Sequence, residues 1–196
     1  MPHSPAIALT DFHVRVDQTT EVRPFHLADA EELYVLVHEN YEHLYPWMGW
    51  VSDAGASREE TRDFLRFSEK AAREQSQFNA AIVSNKRIIG GTGFPIIDWQ
   101  NRLAHIGYWL DEAQTGKGYM TKAVRALTTY AFDALELNRI EIRCSTENAK
   151  SAAVAQRLGF KLEGTLRQSQ LIHGRYVDDY VFAMLAVDWE PSLAKV

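Results

Sequence analysis

The sequence has a single cysteine, Cys144, and no apolar run that approaches the roughly 20 residues of a membrane-spanning helix. One thiol excludes an intramolecular disulfide, and Cys144 stands in an alternating apolar run, so we interpret it as a buried strand residue rather than a nucleophile. Residues 1–11 also lack a basic segment followed by an apolar one, the pattern of a secretory signal. These absences predict a cytoplasmic protein with no membrane partner.

An excess of positive charge is missing as well. The 196 residues include 21 Lys and Arg against 26 Asp and Glu, which gives a formal net charge of −5. A protein that binds nucleic acid directly needs a basic face, so this composition argues against that class and suits an amine-bearing partner. We find no magnesium-holding motif and expect no metal.

The pattern of apolar residues predicts one domain over residues 1–196, with residues 1–11 as a loose lead-in and residues 190–196 as a polar tail. The elements follow the order β, α, α, β, β, β, α, β, α, β, β. Three strands joined by tight turns should be antiparallel. The strand that ends at Leu110 and the strand after the following helix should be parallel to each other. The predicted class is α/β (α+β), with a mixed, mostly antiparallel sheet of about seven strands flanked by about four helices.

Local signals place the element boundaries. Alternating runs at 12–16 and 21–25 indicate a hairpin or one strand with a bent start, and a helix follows from about 28 to 37. Residues 57–60 read Ser-Arg-Glu-Glu, a capping box, before a second helix that ends near residue 73. One face of that helix is predicted from Phe64, Phe67, Ser68 and Ala71. Later strands are predicted at 77–84, 87–97, 102–110, 139–144, 161–171 and 176–187, and a short helix at 148–158.

The stretch from Leu103 to Leu135 joins a strand-like run, a polar loop with Gly116, Lys117 and Gly118, and a long amphipathic helix. Glycines let the loop turn tightly with exposed amides, and the helix adds the positive end of its dipole, so this order is typical of a phosphate site. Neither the dinucleotide fingerprint nor the P-loop pattern is present. A plain strand-to-helix connection is the simpler alternative for the glycines alone.

Several motifs occur in a fixed order around this stretch: IGYWLDE at 106–112, GKGYMT at 116–121, LNRI at 137–140, NAKSA at 148–152 and RLGFKLEG at 157–164. Together they resemble the GNAT N-acetyltransferases, and more closely the branch of the ribosomal-protein alanine and serine N-terminal acetyltransferases. The resemblance covers residues 80–187. It implies the GNAT fold and acetyl transfer from acetyl-CoA to a primary amine.

The resemblance also implies a path for acetyl-CoA. Its pyrophosphate would bind the backbone amides of seven successive residues: Thr115, Gly116, Lys117, Gly118, Tyr119, Met120 and Thr121. Its pantetheine arm would run along Trp109, Leu110 and Asp111, where two parallel strands splay apart, and Asn148 would bond to that arm. The family pattern R/Q-x-x-G-x-G/A is not matched at its ends, because Thr115 and Met120 stand in the first and last positions.

Acetyl transfer to an amine needs no covalent enzyme intermediate, because the amine attacks the thioester directly in a ternary complex and the protein manages two protons. Ser151 resembles the family serine near the CoA sulfur and is the candidate proton donor. Helix capping is the alternative role of Asn148 and Ser151. His105 is the candidate base, with a structural histidine as the alternative and Asp111 and Glu112 as competitors. An α-amino group, with a reference pKa of about 7.7–8, could also lose its proton to water.

Residues 40–50 contain four aromatic side chains without a clean period. We predict that Tyr41, Trp47 and Trp50 form a wall of the acceptor site, with His173 opposite; a plug in the core is the alternative. Aromatic walls beside Glu42 suit a cationic amine. They do not distinguish a protein N-terminus, ribosomal or other, from a polyamine or an antibiotic amine.

Two functions of other classes stay open at this point. A catalytically silent acyl-CoA-binding sensor or interaction module would use the same CoA path without transfer. A plain nucleotide-binding protein is the weaker alternative, since no base-reading motif is present. The chain is also predicted to form a homodimer.

Overall fold

The computed structural model describes residues 8–52 and 57–190, which form a mixed sheet with helices on both faces. The eight strands are β1 (Val14–Arg15), β2 (Thr20–Pro24), β3 (Phe78–Ser84), β4 (Arg87–Asp98), β5 (Leu103–Leu110), β6 (Arg139–Ser145), β7 (Lys161–Ile172) and β8 (Arg175–Leu185). The five helices are α1 (Ala30–Glu39), α2 (Tyr41–Leu44), α3 (Arg58–Arg73), α4 (Tyr119–Asp133) and α5 (Ala149–Arg157). The predicted fold class is confirmed.

The element count exceeds the prediction by one strand and one helix. The ambiguous N-terminal run is a true hairpin, because Val14 of β1 pairs antiparallel with Val22 of β2. The extra helix is α2, a single turn inside the aromatic segment at 40–50. One turn is too short to leave a periodic signal in the sequence, so its missing prediction has a simple cause.

The strands lie in the order β1-β2-β3-β4-β5-β6-β8-β7. Strands β3, β4 and β5 form the predicted antiparallel meander. Within the described residues, β5 and β6 make the single parallel pair, because α4 carries the chain back to the same end of the sheet before β6 begins. Strand β8 then lies between β6 and the edge strand β7.

Two hydrophobic clusters hold the helices on opposite faces of the sheet. Side chains of β3 alternate between them: Ile82 belongs to the larger cluster with Leu127 of α4, and Val83 belongs to the smaller one with Leu33 of α1 and Leu65 of α3. Burial on both faces explains why β3 and β5 read as continuous apolar runs rather than as alternating ones.

The predicted face of α3 is partly wrong. Phe64 and Phe67 are 39% and 50% exposed, whereas Leu65 is fully buried in the smaller cluster. The buried positions of the helix are Thr61, Leu65, Ser68, Ala71 and Ala72. Small residues at this spacing let the helix approach the sheet closely, and the large phenyl rings are displaced to its edges. The capping box at the start of α3 is present, with Glu60 N donating to Ser57 Oγ at 3.1 Å.

Part of the predicted lead-in and nearly all of the predicted tail lie outside the described residues, at 1–7 and 191–196. Within residues 8–11, a short 3-10 turn buries Leu9 completely against the larger cluster. None of the helices in the described ranges is long and apolar enough to cross a membrane.

Strand β4 approaches its neighbour β3 so closely at Gly93 that a side chain does not fit there. A methyl group on Gly93 would overlap the carbonyl group of Phe78 in the neighbouring strand. We therefore expect Gly93→Ala to lower the free energy of unfolding by about 3 kcal/mol, the upper part of the range for overpacking in a well-packed interior. Urea-induced unfolding followed by tryptophan fluorescence measures this change.

Gly164→Ala is the matched control, since a methyl group at Gly164 on the exposed strand β7 meets nothing within 4 Å. We expect it to change the free energy of unfolding by less than about 0.5 kcal/mol. Equal effects of the two substitutions would contradict the close approach of β3 and β4.

Candidate active site

The parallel strands β5 and β6 pair over three residues only. Leu103 lies opposite Arg139 and His105 opposite Glu141, after which the strands separate although β5 continues to Leu110. No strand in the described ranges therefore pairs with the edge of β5 that faces the gap over residues 106–110, and such an edge can bind an extended ligand through its backbone. The predicted splay of two parallel strands is present at this place.

A cavity of about 170 Å³ occupies the gap between the separating strands. Its wall consists of Trp47, Met48, Ile106, Gly107, Tyr108, Arg143, Cys144, Ser145, Asn148, Ser151, Gln170 and Ile172. We call it the thiol cavity, because it lies between the two strands and holds the predicted proton donor Ser151. Cys144 is buried in its wall, and this burial raises the pKa of the thiol.

Two hydroxyl groups meet at the thiol cavity. Ser151 Oγ donates to the Tyr108 hydroxyl at 3.1 Å, and that hydroxyl donates to the Ser151 carbonyl oxygen at 3.0 Å. Burial raises the pKa of Tyr108 well above its ordinary value, so the phenol keeps its proton at neutral pH. The pair is a short relay of neutral proton donors.

The position of Ser151 is set by the start of α5. Asn148 Oδ1 accepts a hydrogen bond from Ser151 N at 3.0 Å, which caps the helix. The capping role of Asn148 is therefore present in the structure. It does not exclude a second role, because both side chains also line the cavity.

The loop after β5 has the geometry of an anion site. Asp111 caps a short 3-10 turn, and Gly116 and Gly118 then adopt φ angles of +77° and +81°, in the left-handed region that favours glycine. A methyl group at either glycine would meet nothing within 4 Å, so the loop is open on that side. Helix α4 begins at Tyr119, and its first-turn amides lack intrahelical acceptors.

The two residues that depart from the family pattern leave this geometry intact. Met120 is 8% exposed and packs in the larger hydrophobic cluster, so its side chain points away from the loop. Thr115 Oγ1 donates to the carbonyl oxygen of Glu112 at 2.8 Å and closes the 3-10 turn. The backbone amides around Met120 therefore stay accessible to an anion.

Positive side chains surround the start of α4. Arg157, at the end of α5, donates to Thr121 Oγ1 at 2.8 Å in the first helical turn. Lys122 pairs with Asp17 at 2.8 Å, and this bond holds the pKa of the Asp17 carboxyl well below its usual range. The loop thus combines backbone amides with a guanidinium group, an arrangement that suits a pyrophosphate.

A second, larger cavity of about 560 Å³ lies between the sheet and helices α1 and α3. It is lined by Phe25, Leu33, Val37, Met48, Trp50, Ser52, Glu60, Thr61, Phe64, Asn79, Gly91, Thr92, Gly93, Pro95, Gly107, Tyr108 and Trp109. We call it the acceptor cavity. It shares Met48, Gly107 and Tyr108 with the thiol cavity, so the two spaces meet at β5.

The predicted aromatic wall is only partly assembled. Trp50 lines the acceptor cavity, with its ring centroid 6.1 Å from that of Trp109, and Trp47 lines the thiol cavity. Trp50 is 52% exposed, so it is a wall residue and not a plug in the core.

Tyr41 and His173 line neither cavity. The His173 ring stacks on Tyr45 with a centroid distance of 3.7 Å, and Tyr45 contacts Tyr41 at 5.2 Å. These contacts tie the segment at 40–50 to the turn between β7 and β8. The substrate-binding roles of Tyr41 and His173 therefore stay predictions, and their observed contacts support the wall indirectly.

His105 lies at the last residue pair before the strands separate. Its Nε2 is 3.3 Å from Glu141 Oε2, and Arg139 and Arg143 each place a guanidinium nitrogen 2.8 Å from the same carboxylate. Burial and the charge of Arg143 lower the pKa of His105. The imidazole is two residues before Gly107 on the same strand and lines neither cavity. Its role as base stays a prediction.

The competing acids have local partners. Asp111 Oδ1 accepts from Ala113 N at 3.1 Å, and Glu112 Oε1 lies 3.9 Å from His43 Nδ1. In the described part of the chain, no group of three or more His, Cys, Asp or Glu side chains is arranged to hold a metal ion.

The sequence-based prediction missed Tyr108 and the acceptor cavity. Tyr108 stands between the predicted site residues His105 and Trp109, and its place in the IGYWLDE motif was the available signal. The cavity had no such signal, because its wall comes from seven separate elements and loops.

Comparison with known proteins identifies the fold family. The acetyltransferase (GNAT) domain family matches residues 20–161. The ribosomal-protein-serine acetyltransferase of Escherichia coli (strain K12) is 30% identical over 172 residues, which cover 88% of this chain and 96% of that protein.

Two solved structures are similar over nearly their whole length. RimL, a ribosomal L7/L12 alpha-N-protein acetyltransferase in complex with coenzyme A through a cysteine disulfide, superposes with a TM-score of 0.85 at 30% identity, covering 89% of this chain and 98% of that one. The microcin C7 self-immunity acetyltransferase MccE, in complex with acetyl-CoA and AMP, gives a TM-score of 0.84 at 29% identity, covering 91% and 98%. With these similarities and the loop, splayed strands and paired cavities described above, the chain belongs to the GNAT family of acetyl-CoA-dependent N-acetyltransferases.

Proposed function

We propose that this N-acetyltransferase transfers the acetyl group to the α-amino group of a peptide or protein, with the amine held in the acceptor cavity. The observation that carries the proposal is the shared wall of the two cavities at Gly107 and Tyr108. An amine that enters from the acceptor cavity meets the thioester at β5 without any movement of the sheet. The serine acetyltransferase relative named for ribosomal proteins supports a protein acceptor.

The glycine loop and the gap between β5 and β6 bind different parts of acetyl-CoA. Of the predicted amides of residues 115–121, that of Thr115 donates to the Glu112 carbonyl oxygen at 3.1 Å, so residues 116–121, with the helix dipole of α4, bind the pyrophosphate. The uncovered edge of β5 binds the pantetheine arm and leads the thioester to the thiol cavity. The RimL structure contains coenzyme A, which supports coenzyme A as the ligand of this groove.

The proposed reaction moves two protons. The neutral amine nitrogen forms a bond to the acetyl carbon, the bond between that carbon and sulfur breaks, and the nitrogen gives one proton to water or His105. Ser151 Oγ turns its proton from Tyr108 to the departing CoA sulfur, and the Tyr108 hydroxyl turns from the Ser151 carbonyl oxygen to return a proton to Ser151, which solvent replaces. An α-ammonium group reaches the neutral form easily, because its reference pKa is about 7.7–8.

The same relatives support further parts of the proposal. Action on ribosomal proteins supports a cytoplasmic location, where such acceptors are made. The homodimer stays a prediction.

A reaction of the protein with acetyl-CoA in a cell lysate tests the proposed function. We expect new N-terminal acetylation, read by mass spectrometry, and a decrease of about 100-fold in its rate for Ser151→Ala, since a positioned general acid contributes about 10²–10⁴-fold. Ser76→Ala, in the loop before β3, is the control and should keep the wild-type rate. Acetylation confined to lysine side chains would contradict an α-amino acceptor.

The hydrogen bond between the hydroxyl groups of Ser151 and Tyr108 leads to a separate prediction. Tyr108→Phe removes only the partner hydroxyl, so we expect a smaller loss than for Ser151→Ala, on the order of tenfold. Because both groups act on one proton, the double variant should be no slower than Ser151→Ala alone. Steady-state rates of thiol release measure all three variants, and additive losses would show independent roles.

The left-handed loop predicts the effect of a single methyl group on cofactor affinity. Gly118→Ala forces a Cβ atom into a φ of +81° at the open side of the loop, and we expect the Kd of acetyl-CoA to rise by about tenfold. Gly159→Ala, with the same φ of +81° at the end of α5, is the matched control for backbone strain. Isothermal titration calorimetry should find its Kd unchanged; equal losses would mean that strain alone weakens binding.

The environment of His105 predicts how stability depends on pH. Because its folded pKa is lowered below the reference value of about 6.5, the folded state binds fewer protons than the unfolded state in that interval. The stability from neutral His105 is complete above about pH 6.5 and is lost as the pH falls. Urea unfolding between pH 7 and pH 5 should therefore show a steeper loss for the wild type than for His105→Gln.

A parallel slope for the two proteins would contradict the lowered pKa. The same variant also tests the catalytic prediction: a base role requires His105→Gln to reduce kcat at pH 7, and an unchanged kcat assigns the deprotonation to water.

A further inference from the structure

The wall of the acceptor cavity is mostly apolar. Eight of its lining side chains are apolar and three are glycines, and the aromatic rings of Trp50, Phe64 and Trp109 stand around it. Trp109 lies over Gly91, whose missing side chain makes room for the indole. The space is of the size that binds a small organic molecule, about 300–1,000 Å³.

Three polar side chains of its wall donate hydrogen bonds to groups within the protein. Thr92 Oγ1 donates to the Gly107 carbonyl oxygen at 3.1 Å, Thr61 Oγ1 to the Ser57 carbonyl oxygen at 3.0 Å, and Asn79 Nδ2 to Ser68 Oγ at 3.1 Å. Each bond directs a donor away from a ligand. The cavity therefore presents mainly hydrocarbon and aromatic surface to its occupant.

The charges of the wall restrict the occupant further. Among the described residues that line the cavity, Glu60 is the single charged side chain, and one of its oxygens accepts a hydrogen bond from Ser57 N at 2.7 Å. A polyamine needs several carboxylates at intervals along its length, and an acidic side chain needs a cation. The lining residues supply neither.

From these observations we propose that the preferred acceptor carries a bulky apolar group, aromatic above all, next to its amine, as in a peptide that begins with Phe, Trp or Leu. This inference rests on the proposed function and names the substrate class of the same site. The side chain of such a residue fills the acceptor cavity and rests against Trp50 and Trp109. A serine or alanine at the same position leaves most of the apolar wall in contact with water, which is unfavourable.

A set of peptides with one common tail and different first residues tests the proposal. We expect kcat/KM with acetyl-CoA to be at least about tenfold higher for N-terminal Phe, Trp or Leu than for Ser or Ala, because one or two methylenes in an apolar pocket already give about 10–200-fold discrimination. The value for N-terminal Glu should be the lowest, because the described residues of the cavity wall include no cation to pair with its carboxylate. A preference for Ser or Ala would overturn the inference and leave the proposed function standing. Binding of acetyl-CoA with no acetylation of any peptide would overturn the proposed function instead.

Two pairs of variants connect the preference to the cavity. Trp50→Ala should reduce the ratio of Phe to Ala activity at least about threefold, whereas Phe67→Ala, a half-exposed aromatic on α3 outside the cavity, should not. Val37→Phe fills the cavity from α1 and should reverse the preference toward Ala. Val35→Phe places the same ring on the exposed side of that helix and should leave the ratio unchanged.

Thermal unfolding of each variant and its control shows whether a change in preference comes from loss of the folded state. An unchanged Phe to Ala ratio in folded Trp50→Ala and Val37→Phe would place the acceptor outside this cavity and overturn the inference.

Discussion

The short parallel pairing of β5 with β6 is the constraint on which the site depends. The two strands pair at three residue pairs and then diverge, so this edge of β5 has no strand partner beside the thiol cavity in the part of the chain that the structure describes. A full-length pairing would have closed this edge. The start of α5 occupies the opening, and Ser151 reaches Tyr108 across it. One interrupted ladder thus leaves the groove that we propose for the cofactor arm and brings the two hydroxyl groups together beside it.

A cluster of charged groups marks the point of divergence. Glu141 is 6% exposed, and a carboxylate at that depth is tolerated only when paired. Arg139 and Arg143, two residues before and after it on β6, pair with its oxygens, and His105 faces it from β5. Arg139 also pairs with Glu163 of β7. Ionic contacts therefore join β5, β6 and β7 at the level where backbone pairing ends, and they fix the register from which the two strands separate.

The segment at 40–50 links the two binding spaces. Asn40, at the end of α1, accepts the amide hydrogen of Glu112 next to the glycine loop, while Met48 contacts both cavities and Trp50 lines the larger one. His173 stacks on Tyr45 and holds the segment from the opposite side. The hydrogen bond between Asn40 and Glu112 therefore ties this segment to the start of the glycine loop.

Local patterns in the sequence determined the elements other than the N-terminal hairpin and the single turn α2, and they also determined the antiparallel meander, the capping box at Ser57, the cap at Asn148 and the glycine loop. Each of these depends on residues within a few positions of one another, and the loop needed only glycines able to adopt positive φ. The tertiary structure alone decided which side chains meet. Tyr108 and Ser151 are 43 residues apart, the face of α3 was selected by close packing against the sheet, and the acceptor cavity draws its wall from both halves of the chain. Contacts between distant positions arise from strand order and helix packing, and neither leaves a periodic signal in one sequence.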